Sequence, residues 1–68
     1  MTTIRVNGQA EPLGAASVAD LLAARGIGLD APAVAVALNG AVVRRAAWAE
    51  TALSPGDQVE IVRPFQGG

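Results

Sequence analysis

The 68-residue sequence lacks most of the side chains that carry chemistry in enzymes. It has no cysteine, so disulfides, thiol nucleophiles and cysteine-ligated metals are excluded. It has no histidine, the commonest general base and a frequent metal ligand. Lysine and tyrosine are also absent, and all five basic residues are arginines. Because no histidine or lysine is present to activate the serine and threonine hydroxyls, we expect no catalytic residue and no metal site in this chain.

The sequence is also poor in charge and in long apolar runs. Its net charge is −1 and its pI is about 5.0, whereas a nucleic-acid-binding domain usually presents a basic face. We interpret the adjacent Arg44 and Arg45 as the solvated end of a strand. No apolar run approaches the roughly 18 residues of a membrane span, and the opening MTTIRVNGQ lacks a signal-peptide pattern. We therefore expect a cytoplasmic protein with no nucleic-acid partner and no membrane partner.

Hydrophobic residues make up 51% of the chain, but many of them are alanines that bury little area. A chain of this length forms one domain, and its core must come from the larger side chains. The aliphatic residues expected to supply most of it are Ile4, Val6, Leu21, Leu22, Val36, Leu38, Val59 and Ile61.

The first third of the chain predicts a hairpin. Apolar and polar residues alternate around Ile4 and Val6, as in a half-buried strand. Asn7 and Gly8 follow, and both residue types tolerate the positive φ of a tight hairpin turn. The second strand is predicted at about residues 10–13, where a proline confines it to an edge of the sheet.

The segment SVADLLAARG predicts a helix over about residues 18–25. Ser17 is a favourable N-cap, and Asp20 lies three positions later, as in a capping box. Apolar residues recur from Val18 at i, i+3 and i+4 and form one face. Gly26 supplies a left-handed conformation at the C-terminal end. With Gly28 it also forms a Gly-x-Gly, which lacks the third glycine and the preceding strand of a dinucleotide site.

The rest of the chain predicts three more strands. Residues 34–43 read as a second hairpin around an Asn-Gly turn. The segment AAWAETAL predicts one helical turn, with Trp48 packed against one end of the sheet. Residues 54–57 form a turn with proline and glycine, and residues 58–62 alternate as a last strand.

This order of elements predicts an α+β domain over residues 1–63, in which one helix covers a four- to five-stranded mixed sheet. The first and last strands are expected side by side in the middle. The acidic side chains are interpreted as surface charge.

Residues 64–68, PFQGG, are predicted to form a flexible tail that ends in Gly-Gly. Gly67 and Gly68 have no Cβ, so they can pass through a channel too narrow for any side chain. A terminal carboxylate is ionised at neutral pH and is a poor electrophile. A partner would therefore have to activate it.

The whole chain resembles the ThiS family of sulfur carriers within the ubiquitin-like β-grasp proteins. The matching pieces are VALNG at 36–40, VVRRAAWAET at 42–51, GDQVEIV at 56–62 and the final Gly-Gly. The pattern of these pieces is specific, whereas Gly-Gly alone would not be.

The resemblance implies the β-grasp fold and a role in making the thiazole of thiamin. An E1-like adenylyltransferase of the ThiF type would use ATP and Mg²⁺ to adenylate Gly68. A sulfur donor such as a cysteine desulfurase would convert it to a thiocarboxylate, and a thiazole synthase of the ThiG type would take the sulfur. The chain itself would bind no cofactor. Gly67 would allow threading into the partner. The residues expected to contact partners are Pro64, Phe65, Gln66, Glu60 and Val62.

Other functions fit the same pattern. A MoaD-like carrier, the small subunit of molybdopterin synthase, shares the fold and the tail chemistry, as do carriers for cysteine synthesis or tRNA thiolation. A non-conjugating ubiquitin-like interaction module would share the fold alone.

Overall fold

Residues 2–63 are described by the structure, which is a computed structural model. Met1 and residues 64–68 lie outside this part of the chain. The elements in chain order are β1 (Thr3–Val6), β2 (Gln9–Pro12), α1 (Val18–Ala24), β3 (Ala35–Leu38), β4 (Ala41–Val43), a 3₁₀ helix (Arg45–Glu50) and β5 (Gln58–Val62).

The five strands form one mixed sheet in the order β2-β1-β5-β3-β4. β5 pairs in parallel with β1 and antiparallel with β3. The first and last strands are therefore neighbours at the centre, as predicted, and β2 with its proline is an edge strand. One α-helix packs on one face of this sheet, which is the β-grasp arrangement.

Both Asn-Gly pairs form the predicted hairpin turns. Asn7 and Gly8 have φ values of 51° and 85°, and Asn39 and Gly40 have 51° and 86°. Two successive residues with positive φ define the type I′ turn, whose twist matches that of the strands it joins. These turns fix the register of β1 with β2 and of β3 with β4.

The helix begins and ends close to the predicted positions. The Ser17 hydroxyl accepts a hydrogen bond from the backbone N–H of Asp20 at 3.2 Å, which confirms the N-cap. α1 ends at Ala24, and Gly26 adopts φ +79° two residues later. The Gly-x-Gly of this loop therefore terminates a helix.

The core joins the apolar face of α1 to the inner face of the sheet. Its buried residues are Ile4, Val6, Val18, Leu21, Leu22, Ile27, Val36, Trp48, Leu53 and Val59.

Leu38 and Ile61 were predicted in the core, but they only pack against it and stay half-buried. A five-stranded sheet is about 19 Å wide, whereas one helix with its side chains is about 10–12 Å across. The helix therefore leaves part of the inner face incompletely covered. The 3₁₀ helix and the buried Ile27 and Leu53 of the loops complete the cover.

Trp48 belongs to the core, with 1% of its surface exposed. Its indole Nε1–H donates to the carbonyl of Val43 at 3.0 Å. The Arg45 guanidinium lies 4.7 Å from the ring centroid and donates to the carbonyls of Leu29 and Ala31. Arg45 is therefore more than solvated charge at a strand end, because it joins the 3₁₀ helix to the loop after α1.

We predict that Trp48→Ala removes a large fraction of the free energy of unfolding and lowers the urea midpoint strongly. Removing a buried tryptophan costs about 3–5 kcal/mol, and a small domain has only about 0.05–0.15 kcal/mol of stability per residue. Urea titration followed by far-UV circular dichroism measures the loss. Trp48→Phe keeps a ring but loses the bond to Val43, so we expect a midpoint between the two. An unchanged midpoint for Trp48→Ala would contradict this account of the core.

Candidate functional site

The structure describes two of the predicted site residues, Glu60 and Val62. Both lie in β5 with exposed side chains, as the alternation predicted. The other predicted site residues lie outside the described part of the chain: Pro64, Phe65, Gln66, Gly67 and Gly68.

The position of β5 determines where those residues begin. β5 is the central strand and ends at Val62, and Arg63 is the last described residue. β5 is paired with β3 up to Val62 and with β1 at Gln58 and Val59. The segment 64–68 therefore follows the centre of the sheet.

Glu60 and Val62 lie on the face of the sheet opposite the helix. Val62 is paired with Ala35, and Ala37 is paired with both Glu60 and Val42. Residues paired directly across neighbouring strands share a face. We call the part of this face made by Ala35, Ala37, Val42, Glu60 and Val62 the outer sheet face. Beyond it the same side of the sheet continues through Gln58 to Arg5 of β1 and is polar.

The outer sheet face is mainly apolar and open to solvent. Val42 is 78% exposed and Val62 is 63% exposed, and both are among the large hydrophobic residues with the most exposure in residues 2–63. Between them lie small alanines, and Glu60 adds one carboxylate. An apolar surface with a few charges is typical of a protein-binding site. The outer sheet face adjoins the end of β5.

Several polar side chains that sequence reasoning considered are structural. The Thr51 hydroxyl donates to the carbonyl of Ala47 at 2.6 Å. The Asp57 carboxylate accepts from the backbone N–H of Ser54 at 2.8 Å and from the side-chain amide of Asn39 at 3.1 Å. The Thr51 hydroxyl thus bonds the end of the 3₁₀ helix, and the Asp57 carboxylate holds the turn at residues 54–57. Within residues 2–63, no three His, Cys, Asp or Glu side chains are grouped closely enough to hold a metal.

An open groove of about 430 Å³ lies between β2 and α1. Its walls are mostly small residues, with the carboxylates of Glu11 and Asp20 among them. Glu11 is bound by Arg25 at the end of the helix. The groove is far from the end of β5 in the strand order and holds no cluster of reactive groups.

Sequence reasoning missed a second role of Asn7 and Asn39. Both were predicted only as turn residues, yet each side chain also bonds the backbone of β5. The available signal was the choice of asparagine over glycine at both first turn positions, since only asparagine adds a donor and an acceptor.

No α-helix in the described residues is long and apolar enough to cross a membrane.

Comparison with known proteins agrees with this architecture. The ThiS family profile matches residues 4–68. Among solved structures, the chain is similar to the crystal structure of the thiamine biosynthesis protein (ThiS) from Geobacter metallireducens. The two share 38% sequence identity over 97% of this chain and 99% of that chain, with a TM-score of 0.75. No match to a curated protein is found.

The profile match spans nearly the whole chain, and the structural match has the same extent. Sequence and fold therefore lead to the same assignment. The chain belongs to the ThiS family.

Proposed function

We propose that this chain is a sulfur carrier of thiamin biosynthesis, which delivers the sulfur of the thiazole ring from its C-terminal glycine. The observation that carries the proposal is the ThiS family match, which extends through Gly67 and Gly68. The similar thiamine biosynthesis protein from Geobacter metallireducens supports the pathway. The MoaD-like alternative shares the fold, but the family match favours thiamin.

The proposed chemistry begins at the Gly68 carboxylate. In an adenylyltransferase of the ThiF type, with ATP and Mg²⁺, a carboxylate oxygen attacks the α-phosphorus and pyrophosphate leaves. A persulfide sulfur, from a donor such as a cysteine desulfurase, then attacks the acyl carbon and AMP leaves. A thiol reduces the resulting acyl disulfide and releases the thiocarboxylate, while the donor becomes a disulfide. A thiazole synthase of the ThiG type then takes the sulfur.

The chain contributes reach and shape to this cycle. The six residues beyond β5, 63–68, span at most about 20–22 Å when extended, enough for Gly68 to enter a partner's active site. Glycine at positions 67 and 68 leaves the acyl carbon free of a neighbouring Cβ. The sequence has no histidine, cysteine or lysine to activate the carboxylate. We therefore propose that it acts as a co-substrate and that its partners supply ATP, Mg²⁺ and catalysis.

We further propose that the outer sheet face docks against the activating partner. Its exposed valines offer apolar area to bury, and Glu60 offers a charge that orients the encounter. The first tail residues, Pro64, Phe65 and Gln66, would continue this contact into the partner's channel. Phe65 is the only phenylalanine in the chain and is the expected apolar anchor.

We predict that Gly68 becomes a thiocarboxylate when the protein is incubated with ATP, Mg²⁺, a ThiF-type adenylyltransferase and a persulfide donor. Intact-protein mass spectrometry should show one oxygen replaced by sulfur, and fragmentation should place the change on Gly68. Product formation should require ATP, because the carboxylate is unreactive without a leaving group.

Two variants serve as controls for this experiment. Deleting Gly68 should abolish the modification and leave the circular dichroism spectrum unchanged. Gly68→Ala keeps the carboxylate but adds a Cβ. We expect it to react more slowly, because the partner's channel has to fit around the added methyl group. If the native chain stays unmodified with active partners, the carrier function is wrong and the interaction module is favoured.

We predict that Val42→Glu and Val62→Glu each raise the KM for adenylation about tenfold, which equals about 1.4 kcal/mol of binding. A charge on the outer sheet face would have to be desolvated on docking. The rate of pyrophosphate release, measured against carrier concentration, gives KM. Glu60→Gln should chiefly change the salt dependence of the reaction.

Leu29→Glu is the matched control, because Leu29 is also apolar and 55% exposed but lies outside the sheet. It should leave KM unchanged. Thermal melting confirms that all variants are folded. Equal KM values for the outer-face variants and the control would exclude this face as the docking surface.

A further inference from the structure

The end of β5 has a strand beside it on one side only. On the β3 side, Val36 is paired with Ile61 and Ala35 with Val62. On the β1 side, the ladder ends where Val6 is paired with Val59, because the chain then turns away into the first hairpin. The last three residues of β5, 60–62, therefore have no strand partner on that side.

The Asn7 side chain supplies the missing partner. The backbone N–H of Asn7 donates to the carbonyl of Val59 at 2.9 Å. The backbone N–H of Ile61 donates to Asn7 Oδ1 at 2.8 Å, and Asn7 Nδ2 donates to the carbonyl of Ile61 at 3.3 Å. In a continuous parallel ladder, backbone groups of the neighbouring strand would make these last two bonds. One side-chain amide thus extends the ladder to Ile61.

Asn39 does the same at the other end of β5. Its backbone N–H donates to the carbonyl of Gln58 at 2.7 Å, and the N–H of Gln58 donates to Asn39 Oδ1 at 2.9 Å. Asn7 and Asn39 have the same φ and occupy the same position of the same turn type. The two asparagines hold opposite ends of β5. Asn7 makes both of its side-chain bonds to Ile61, whereas Asn39 makes one to Gln58 and one to the Asp57 carboxylate.

We infer that Asn7 is a positioning residue for the sulfur carrier reaction, because it fixes the point at which the segment leading to Gly68 leaves the sheet. The inference rests on the proposed function. Each residue that frays from β5 moves the origin of the tail by about 3.3 Å. Fraying would displace Val62 from the outer sheet face as well.

The test compares Asn7→Gly with Asn39→Gly in the full chain. Glycine keeps the positive φ of both turns, and each variant loses its side-chain bonds to β5. Adenylation by the ThiF-type enzyme is followed by pyrophosphate release, and kcat and KM are measured separately. We expect Asn7→Gly to lower kcat/KM about three- to tenfold, chiefly because a frayed end of β5 takes Val62 out of the docking face, in line with the effect expected for Val62→Glu. Asn39→Gly should stay within about twofold of the native chain.

Amide hydrogen exchange supplies a readout that does not depend on the enzyme. Asn7→Gly should speed exchange at Ile61, and Asn39→Gly should speed it at Gln58 instead. Asn7→Asp keeps the acceptor for the N–H of Ile61 but loses the donor, so its kcat/KM should lie between those of the native chain and Asn7→Gly. If Asn7→Gly does not fold, Asn7→Asp against the native chain is the deciding comparison, because Asn39→Asp would add a repulsion with the Asp57 carboxylate.

The outcomes distinguish a failure of the positioning role of Asn7 from a failure of the proposed carrier function. Equal kcat/KM for the two glycine variants, or unchanged exchange at Ile61 in Asn7→Gly, overturns the positioning role. A native chain that is not adenylated overturns the proposed function instead. A fall in kcat/KM for Asn7→Gly alone, with faster exchange at Ile61, supports the inference.

Discussion

The pairing of β5 with β1 and β3 is the constraint on which the rest of the molecule depends. It joins the last strand of the domain to the first, in parallel, and so places β5 between two hairpins. Both hairpins are held against it by their turns, because Asn39 bonds the first residue of β5 and Asn7 bonds Ile61 near its end. A parallel connection needs a long crossover, and here that crossover contains the helix that covers the sheet.

The small size of the domain explains why one face of the sheet is buried and the other is exposed. A domain of this size has one helix, so it can bury only one face well, and the 3₁₀ helix with Trp48 fills what the helix leaves uncovered. Within residues 2–63, the opposite face stays largely exposed. The outer sheet face consists of alanines and valines of β3, β4 and β5 with a single glutamate, and it borders the point where residues 64–68 begin. The starting point of residues 64–68 and the position of the outer sheet face therefore both follow from the central position of β5.

Local signals predicted most of this fold. The Asn-Gly pairs, the Ser17 cap and the alternation of β5 act through neighbouring residues, so they can be read along the chain. The contacts that were missed join distant residues: Asn7 to Ile61, and Arg45 to the loop after α1. The burial of loop residues also escaped prediction, since no periodic pattern marks them. For the site, alternation placed the exposed side chains of β5, whereas their apolar neighbours on β3 and β4 required the sheet register. The role of Gly68 comes from resemblance to a family, because two glycines by themselves indicate only a narrow passage.

The lack of lysine and cysteine side chains has a physical consequence if Gly68 is activated as proposed. An acyl-adenylate reacts with any accessible amine or thiolate, and the product of such a reaction would be a dead-end amide or a thioester within the carrier. This chain has neither lysine nor cysteine, and its five basic side chains are guanidinium groups that stay protonated and are poor nucleophiles. Only partners can then supply the attacking sulfur, so a sequence without lysine and cysteine suits a carrier of an activated carboxylate.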